Sequence, residues 1–328
     1  MATTAITAGD VRGRSGVRAF FERLRSGDEA AHLLTIAFAS SVLAITVLIV
    51  MELYRASAVS RHALGWAFLY RSTWDPVAGD FGALPFIYGT IVTSILSLAI
   101  AVPLGLGAAI FLSELAPPRI SDALTFIIEL LAAVPSVIYG LLGIFILVPF
   151  MRDTAGPALH ATLGFLPFFQ GPNYGVGILT AAVVLSLMVL PFIVSVSREA
   201  LLAVPREQRE AALALGSTRW ESTSRVVVPF ARLGILGSLF LALARALGET
   251  MAVTMVIGNT PRIAASLFAP GYSIAAVIAN EFTEATSDVH LSALIELGLV
   301  LFGLTIAINA FARLMILATE RKGSKQAP

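Results

Sequence analysis

The stretch that decides the fold is EALLAVPREQREAALALGSTRWESTSRVVVP, residues 199–229. It is the longest polar stretch between two strongly apolar ones, and it predicts two short helices joined at a glycine. Pro205 suits the first position of the first helix, because its missing N–H would be unpaired there in any case. Gly216 suits the positive φ at which helices commonly end. Residues 218–221 have the S/T-x-x-E form of a capping box, which predicts the start of the second helix.

The same stretch resembles the EAA loop of ABC-importer permeases. The matching residues are Glu210-Ala211-Ala212, Gly216 and, nine residues later, Val226-x-Val228-Pro229. The usual family form ends I-x-L-P, so two valines stand in for other aliphatic residues. In that family the loop is a cytoplasmic coupling helix that docks on a separate ATP-hydrolysing subunit. The resemblance implies that Glu210, Ala211, Ala212 and Gly216 form this docking surface; an ordinary basic cytoplasmic loop is the alternative.

The composition indicates a membrane protein that crosses the bilayer several times. Of the 328 residues, 57% are hydrophobic and 13% charged, and the mean hydropathy is +0.86. These values lie far from those of soluble domains. The net charge of +1 gives no case for nucleic-acid binding. The absence of cysteine excludes disulfides and thiolate metal sites, and the four scattered histidines give no metal-ligand spacing, so no metal is expected.

Six stretches are long and apolar enough to cross a bilayer as helices, which takes about 20 residues. They are roughly 32–53, 85–113, 123–151, 176–197, 233–258 and 291–312. The fold class predicted is therefore an all-α polytopic membrane protein with six transmembrane helices. The expected organisation is a tail at 1–31, a first transmembrane helix and outer loop at 32–84, a transmembrane domain with the EAA-like loop at 85–317, and a tail at 318–328.

The distribution of Lys and Arg predicts the orientation. The segments on one side of the six spans hold sixteen basic residues, and those on the other side hold five over a nearly equal length. Because cytoplasmic segments carry the excess of basic residues, both termini and the EAA-like loop are expected in the cytoplasm. On the outer side, residues 152–175 predict a loop with interfacial aromatics. Residues 273–282 predict a short segment that either presents a surface to an external partner or simply closes the loop along the membrane surface.

The sequence contains no P-loop nucleotide site. Such a site needs Gly-Lys-Ser/Thr after a glycine-rich turn. The two lysines, Lys322 and Lys325, lie in the C-terminal tail and neither follows a glycine. If ATP drives this protein, the ATPase is another polypeptide.

The fifth apolar stretch carries an arginine near its middle. Arg245 would lie near the bilayer centre, where a charge costs at least about 2.5–3.5 kcal/mol and is expected to face a cavity or the protein interior. Glu249 follows four residues later, one turn along the same predicted helix face. Two interpretations are open: the residues neutralise each other, or the planar guanidinium meets a passing anion and the carboxylate holds it at other times.

Two further strings resemble the PstC-type permeases of phosphate ABC importers. They are RALGETMAVTMVIGN at 245–259 and ELLAAVPSVIYG at 129–140. Together with the EAA-like loop, the resemblance covers about residues 85–315. It implies a type I importer fold in the bacterial cytoplasmic membrane and a role for Arg245 and Glu249 in phosphate passage. It also implies a heterodimer with a PstA-type permease, two copies of a PstB-type ATPase that bind ATP and Mg²⁺, and an external phosphate-binding protein.

Other polar residues are weaker candidates for the substrate pathway. Glu129 lies early in the predicted third span, and Glu296 near the outer end of the sixth. Ser136 and Tyr139 follow Pro135 and could donate hydrogen bonds to an anion. Packing and hydrogen bonds between helices explain these residues equally well.

Three functions therefore compete. The first is the permease of a phosphate ABC importer. The second is the permease of an importer for another oxyanion, such as sulfate or molybdate, which the EAA-like loop does not distinguish from the first. The third is a secondary transporter or channel that works alone.

Overall fold

The computed structural model describes the backbone of residues 28–324 and the side chains of residues 31–314. The expected N-terminal tail and the end of the C-terminal one lie outside these residues. Within them, six helices are long and apolar enough to cross a membrane. The prediction of an all-α protein with six transmembrane helices is confirmed.

Twelve helices can be followed along the described chain. They are α1 Asp28–Ala56, α2 Ala58–Leu64, α3 Ala67–Tyr70, α4 Leu84–Leu115, α5 Pro118–Ala133, α6 Ser136–Leu163, α7 Ile178–Leu202, α8 Arg206–Ala214, α9 Arg219–Leu247, α10 Met251–Val256, α11 Ile274–Glu281 and α12 Asp288–Ser324. The long helices include wider π-helical turns at Phe111–Leu115 in α4, at Gly143–Leu147 and Met151–Ala155 in α6, and at Thr223–Val227 in α9. A 3₁₀ turn at Pro167–Phe169 precedes α7.

The only strands among the described residues form a two-stranded antiparallel hairpin between α3 and α4. Its strands are β1 Trp74–Asp75 and β2 Asp80–Phe81, and Trp74 lies opposite Phe81. Asp75 closes the turn by accepting hydrogen bonds from the backbone N–H groups of Val77 and Ala78.

The chain divides into two units, residues 1–55 and residues 56–328. Nearly all of α1 belongs to the first unit, and it is a single apolar helix of bilayer-spanning length. The remaining helices form the second unit, which is described below.

Helix α7 is the centre of the second unit. Two thirds of its most apolar window is buried, against about a quarter for the other spanning helices of this unit. Small residues let its neighbours approach closely: a Cβ at Gly105 of α4 would lie 2.8 Å from Ile193, and one at Gly234 of α9 would lie 2.5 Å from Ala200. Buried hydroxyls of Ser197 and Ser238 then join α7 to α9 by a hydrogen bond of 2.7 Å. Such small and hydroxyl-bearing contacts are the usual means of helix association in a bilayer.

A second buried cluster includes the hairpin and the first turn of α4. Trp74 packs edge-on against Phe81 and Phe86, and Phe81 stacks on His290 at the start of α12. Helix α11 places its first four residues in the buried interior, within this cluster for the most part. The segment 273–282 is therefore a helix packed against the protein, with Ser273 as its N-cap.

Tyr272 belongs to the same cluster. Burial raises the pKa of Tyr272 to about 12, so its hydroxyl stays protonated near neutral pH. That hydroxyl accepts a hydrogen bond of 3.0 Å from the amide of Asn280 in α11. The bond ties the loop before α11 to the helix itself.

The prediction of one continuous third span at 123–151 is wrong. Helix α5 ends at Ala133, and α6 begins at Ser136 and continues to Leu163. Pro135 has no N–H to continue α5, and the residue before a proline is driven out of the helical region; Val134 accordingly has ψ 128°. The first part of 152–175, expected to be a loop, is therefore helical, and only the residues after Leu163 form a connection.

The fifth apolar stretch, expected to be one helix over 233–258, is also interrupted. Helix α9 ends at Leu247, residues 248–250 are not helical, and the short helix α10 follows. Gly248 ends the helix at φ −94° and ψ 0°, and Glu249 turns its side chain to the first turn of α10. Glycine costs about 1 kcal/mol relative to alanine inside a helix, which favours a break here.

Candidate functional site

The loop at 199–229 has the predicted helix–glycine–helix form. Helix α8 starts at Arg206, so Pro205 occupies the N-cap position, one residue before the first helical residue. Gly216 has φ +87°, and no atom lies within 4 Å of the position that its Cβ would occupy. The turn therefore requires the positive φ that glycine tolerates, and it does not require a small side chain. The N–H of Ser217 donates to the carbonyl of Ala212 and closes the helix.

The capping box that opens the second helix is present. The N–H of Glu221 donates to Thr218 Oγ1 at 3.3 Å, and the N–H of Thr218 donates to Glu221 Oε2 at 2.9 Å. This helix does not stop before Pro229. It passes through the π-helical turn into the spanning part of α9, where Pro229 lies near the first position of the regular α-helix that follows. The second helix of this loop is thus continuous with a transmembrane helix.

The residues matched to the EAA pattern form an outward-facing surface. Glu210, Ala211 and Gly216 are exposed, and Ala212 is half-buried. None of the residues of α8 is fully buried. A small-residue face of this kind allows a partner to approach the helix backbone closely.

Arg245 lies in the last turn of α9 and is exposed. Its guanidinium carbon sits 4.3 Å from the ring centroid of Phe192, a cation–π contact. Phe192 is the fifteenth residue of the 25-residue helix α7, about 21 Å from its first residue and about 15 Å from its last at 1.5 Å per residue. The arginine is therefore held near the middle of the span, as the sequence predicts.

Glu249 is not one turn along the same helix, because α9 has already ended. Its Oε1 accepts a hydrogen bond of 3.2 Å from the N–H of Ala252 and so caps α10. Among the described residues, Glu249 forms no ion pair with Arg245. The expectation that the two charges share a helix face is wrong, and the helix break between them is the reason.

Tyr139 and Ser136 lie in the first turns of α6, beside this break. Tyr139 is buried in the same cluster as Ala246 and Ala252, which flank residues 248–250. Its hydroxyl donates to the carbonyl of Leu131 at 2.8 Å and so satisfies the open end of α5. Ser136 is half-buried.

Helix α6 meets α10 closely just after these residues. A Cβ at Gly140 would lie 2.4 Å from the sulfur of Met255 and 3.2 Å from the Cα of Ala252. The fold therefore brings the start of α6 together with the arginine and the glutamate.

Glu129 and Glu296 lie elsewhere. Glu129 is exposed on α5, before the break at Pro135, and lines a small cavity with Arg198 and Glu199 near the end of α7. Glu296 is buried in α12, where its carboxylate accepts a hydrogen bond from the hydroxyl of Ser60. Neither residue joins the group around Arg245.

Two contacts made by the arginines of the chain were not predicted from the sequence. The ring of Phe192 contacts the Arg245 guanidinium. It is one of twenty phenylalanines in an apolar chain, and nothing in its local sequence distinguishes it. Arg209 in α8 pairs with Glu114 at the end of α4. The two residues carry opposite charges and lie on segments that were both predicted to be cytoplasmic, and this was the signal that could have indicated the pair. Among the described residues, no cluster of three or more His, Asp or Glu could hold a metal ion.

Comparison with known proteins agrees with this arrangement. Residues 101–322 match the family described as binding-protein-dependent transport system inner membrane component. The chain is 45% identical over 313 residues to the phosphate transport system permease protein PstC of Mesorhizobium japonicum, covering 94% of this chain and 96% of that one. It is 50% identical over 262 residues to the protein of the same name from Xylella fastidiosa, covering 79% of this chain and 81% of that one.

The fold itself is similar to that of a solved importer. A chain from the crystal structure of a bacterial ABC transporter involved in the import of the acidic polysaccharide alginate matches with a TM-score of 0.54 at 19% identity, covering 89% of this chain and 98% of that one. At this identity the likeness concerns the fold alone. On the family match and the relatives, the chain belongs to the inner membrane components of binding-protein-dependent transport systems, among the PstC permeases.

Proposed function

We propose that this chain is one of two permease subunits that form the membrane pathway of an ATP-driven phosphate importer. The observation that carries the proposal is Arg245, an exposed cation at mid-span that rests on Phe192 and, among the residues that the structure describes, has no carboxylate partner. Relatives at 45% and 50% identity are phosphate transport system permeases, which supports phosphate as the anion.

The position of Arg245 argues for an aqueous pathway beside it. A charged side chain facing hydrocarbon at this depth is costly, so the exposed side of Arg245 is expected to face a polar passage shared with a second subunit. A guanidinium suits phosphate because its planar N–H groups bind two oxygens at once. Tyr139, Ser136 and Glu249 border the same region, and we assign them to the lining of the passage. Glu129 is assigned to its inner end.

Three partners follow from this assignment. A PstA-type permease would complete the passage, and a PstB-type ATPase dimer would dock on α8 at Glu210, Ala211, Ala212 and Gly216. An external phosphate-binding protein would deliver the substrate. ATP and Mg²⁺ would bind to the ATPase, because this sequence has no P-loop lysine. The protein would lie in the bacterial cytoplasmic membrane with both termini and α8 in the cytoplasm, as the basic residues indicate.

The test is uptake of radiolabelled phosphate by proteoliposomes that contain the chain alone, the two permeases, or the complete importer. We expect uptake only with the complete importer and ATP. Excess unlabelled phosphate should compete, whereas sulfate and molybdate should not. Uptake by the chain alone would contradict the proposal in favour of a stand-alone transporter, and equal competition by sulfate would indicate another oxyanion importer.

A further inference from the structure

One side chain of helix α8 joins it to α4 and to the end of α7. Five of its nine residues are charged or polar, none is fully buried, and only Arg209 and Ala212 are half-buried. Arg209 points back toward the membrane domain. It donates from Nη2 to Glu114 Oε1 at 2.8 Å and from Nε to Glu114 Oε2 at 3.2 Å. This is the two-pronged geometry in which an arginine–carboxylate pair is strongest.

The same guanidinium also binds the end of α7. Nη2 donates to the carbonyl of Leu201 at 2.7 Å, and Nη1 donates to the carbonyl of Val204. Carbonyls at a helix C-terminus have no partner within their own helix, so a cation is well placed there. Arg209 thus joins α8 to Glu114 at the end of α4 and to the last turn of α7.

Beside this junction the contact between α8 and the membrane domain is incomplete. A cavity of about 150 Å³ lies there, lined by Glu114, Arg209, Leu213, Arg219, Ser222 and Thr223. A helix that moves displaces the groups that it contacts, whereas an empty cavity does not transmit the displacement. The guanidinium contacts are therefore the firm connection on this side of the helix.

We propose that Arg209 is the positioning residue through which a displacement of α8 moves α4 and α7. The inference rests on the proposed docking of an ATPase subunit on α8. Leu201 and Phe192 lie on one uninterrupted helix, about 14 Å apart at 1.5 Å per residue. A shift of the end of α7 therefore moves the ring on which Arg245 rests. The Arg209–Glu114 pair links the ATPase surface to the anion-binding arginine.

The test measures coupling in the complete reconstituted importer. The variants are Glu114→Gln, which removes the charge, and Arg209→Lys, which keeps the charge but cannot reach all three partners. The readouts are ATPase subunit retained, ATP hydrolysed, and phosphate transported per ATP. We expect normal ATPase retention, continued hydrolysis and at least a tenfold fall in phosphate transported per ATP. A purely structural pair would lower the amount of assembled importer and leave that ratio unchanged.

A matched control is available on another part of the chain. Arg152 and Asp153 form an exposed ion pair of 2.8 Å that has no link to α8. Asp153→Asn should leave both the ratio and the amount of importer unchanged. A fall in the ratio of similar size in this control would show that the assay responds to any lost ion pair and would overturn the assignment.

Rescue by a covalent link separates transmission from stability. The native chain has no cysteine, so Glu114→Cys with Arg209→Cys introduces the only two thiols in it. Before cross-linking, this double variant should hydrolyse ATP with little transport. A short bis-maleimide should restore phosphate transported per ATP.

An unchanged ratio in both single variants, or no recovery after complete cross-linking, would overturn the proposal. Either result with the ATPase subunit still bound leaves the docking of α8 intact. Failure of the ATPase subunit to bind the unmodified chain would instead overturn the docking itself.

Discussion

At the scale of single residues, Arg245 and Glu249 make different contacts. Arg245 lies on an aromatic ring near mid-span, and Glu249 caps the short helix α10. The sequence placed them one turn apart on one helix, where they could either neutralise each other or share the contact with a passing anion. Their separation leaves the cation available to an anion and gives the carboxylate a backbone partner of its own.

Replacement of Arg245 is expected to lower transport strongly without preventing assembly. Hydrogen bonds to charged groups contribute about 1.5–3 kcal/mol, and each 1.4 kcal/mol is a factor of ten. Arg245→Gln should therefore lower phosphate uptake about 10- to 100-fold, with normal membrane abundance. Arg245→Lys should recover only part of it, because an ammonium lacks the planar fork.

Phe192→Leu is the accompanying control, since it keeps an apolar side chain and removes the ring under the guanidinium. It should give a smaller loss than Arg245→Gln, measured as uptake per assembled importer. Full uptake by Arg245→Gln would show that the arginine does not contact phosphate.

Variants of Glu249 separate its charge from its capping role. Glu249→Gln keeps a carbonyl oxygen that can accept from the N–H of Ala252, whereas Glu249→Ala removes the cap, which typically costs about 1 kcal/mol. If capping is the main role, uptake and thermal stability of Glu249→Gln should stay near those of the native chain, and Glu249→Ala should lose stability. Equal loss of uptake in both variants, with stability retained by Glu249→Gln, would show that the charge itself is required.

At the scale of elements, the sequence predicted local structure well where the signals were local. The capping box at Thr218 and the positive φ at Gly216 are both present, because each depends on residues within one turn. The interruptions after Ala133 and Leu247 were missed. Apolar composition continues across both breaks, and hydropathy alone does not respond to a proline or glycine inside an apolar run.

The missed contacts have a different cause. The Arg209–Glu114 pair and the Arg245–Phe192 contact join residues 95 and 53 positions apart in the sequence. Such contacts depend on which helices become neighbours, and one sequence without packing information does not specify that. The sequence singled out Arg245, Glu249 and Tyr139, but it could not predict which contacts their side chains make.

The turn after α8 provides a test of the docking surface. Gly216 has φ +87° and open space around it, so a substitution there acts through backbone strain alone. Gly216→Val should misplace α8 relative to α9 and lower both phosphate uptake and the amount of ATPase subunit that co-purifies. Gly216→Asn is the matched control, because asparagine tolerates positive φ, and it should retain most of both. If Gly216→Val behaves like Gly216→Asn in both assays, α8 is not the docking element.

At the scale of the whole molecule, the orientation can be tested because the native chain contains no cysteine. Val77, in the turn of the hairpin, is 98% exposed, and Leu215, directly after α8, is 90% exposed. In intact spheroplasts, Val77→Cys should react with a membrane-impermeant maleimide. Leu215→Cys should react only after the membrane is permeabilised. The reverse pattern would place the termini and α8 outside the cell.

The interruption at residues 248–250 has a consequence for solvent. In hydrocarbon, backbone N–H and C=O groups without helical partners are tolerated only where protein or water satisfies them. The end of α9 near mid-span leaves carbonyls without partners in the helix, beside an exposed guanidinium. This part of the surface should be hydrated in the assembled importer, so its backbone amides should exchange with deuterium faster than those in the middle of α7. The helix break would then mark how far water reaches into the bilayer.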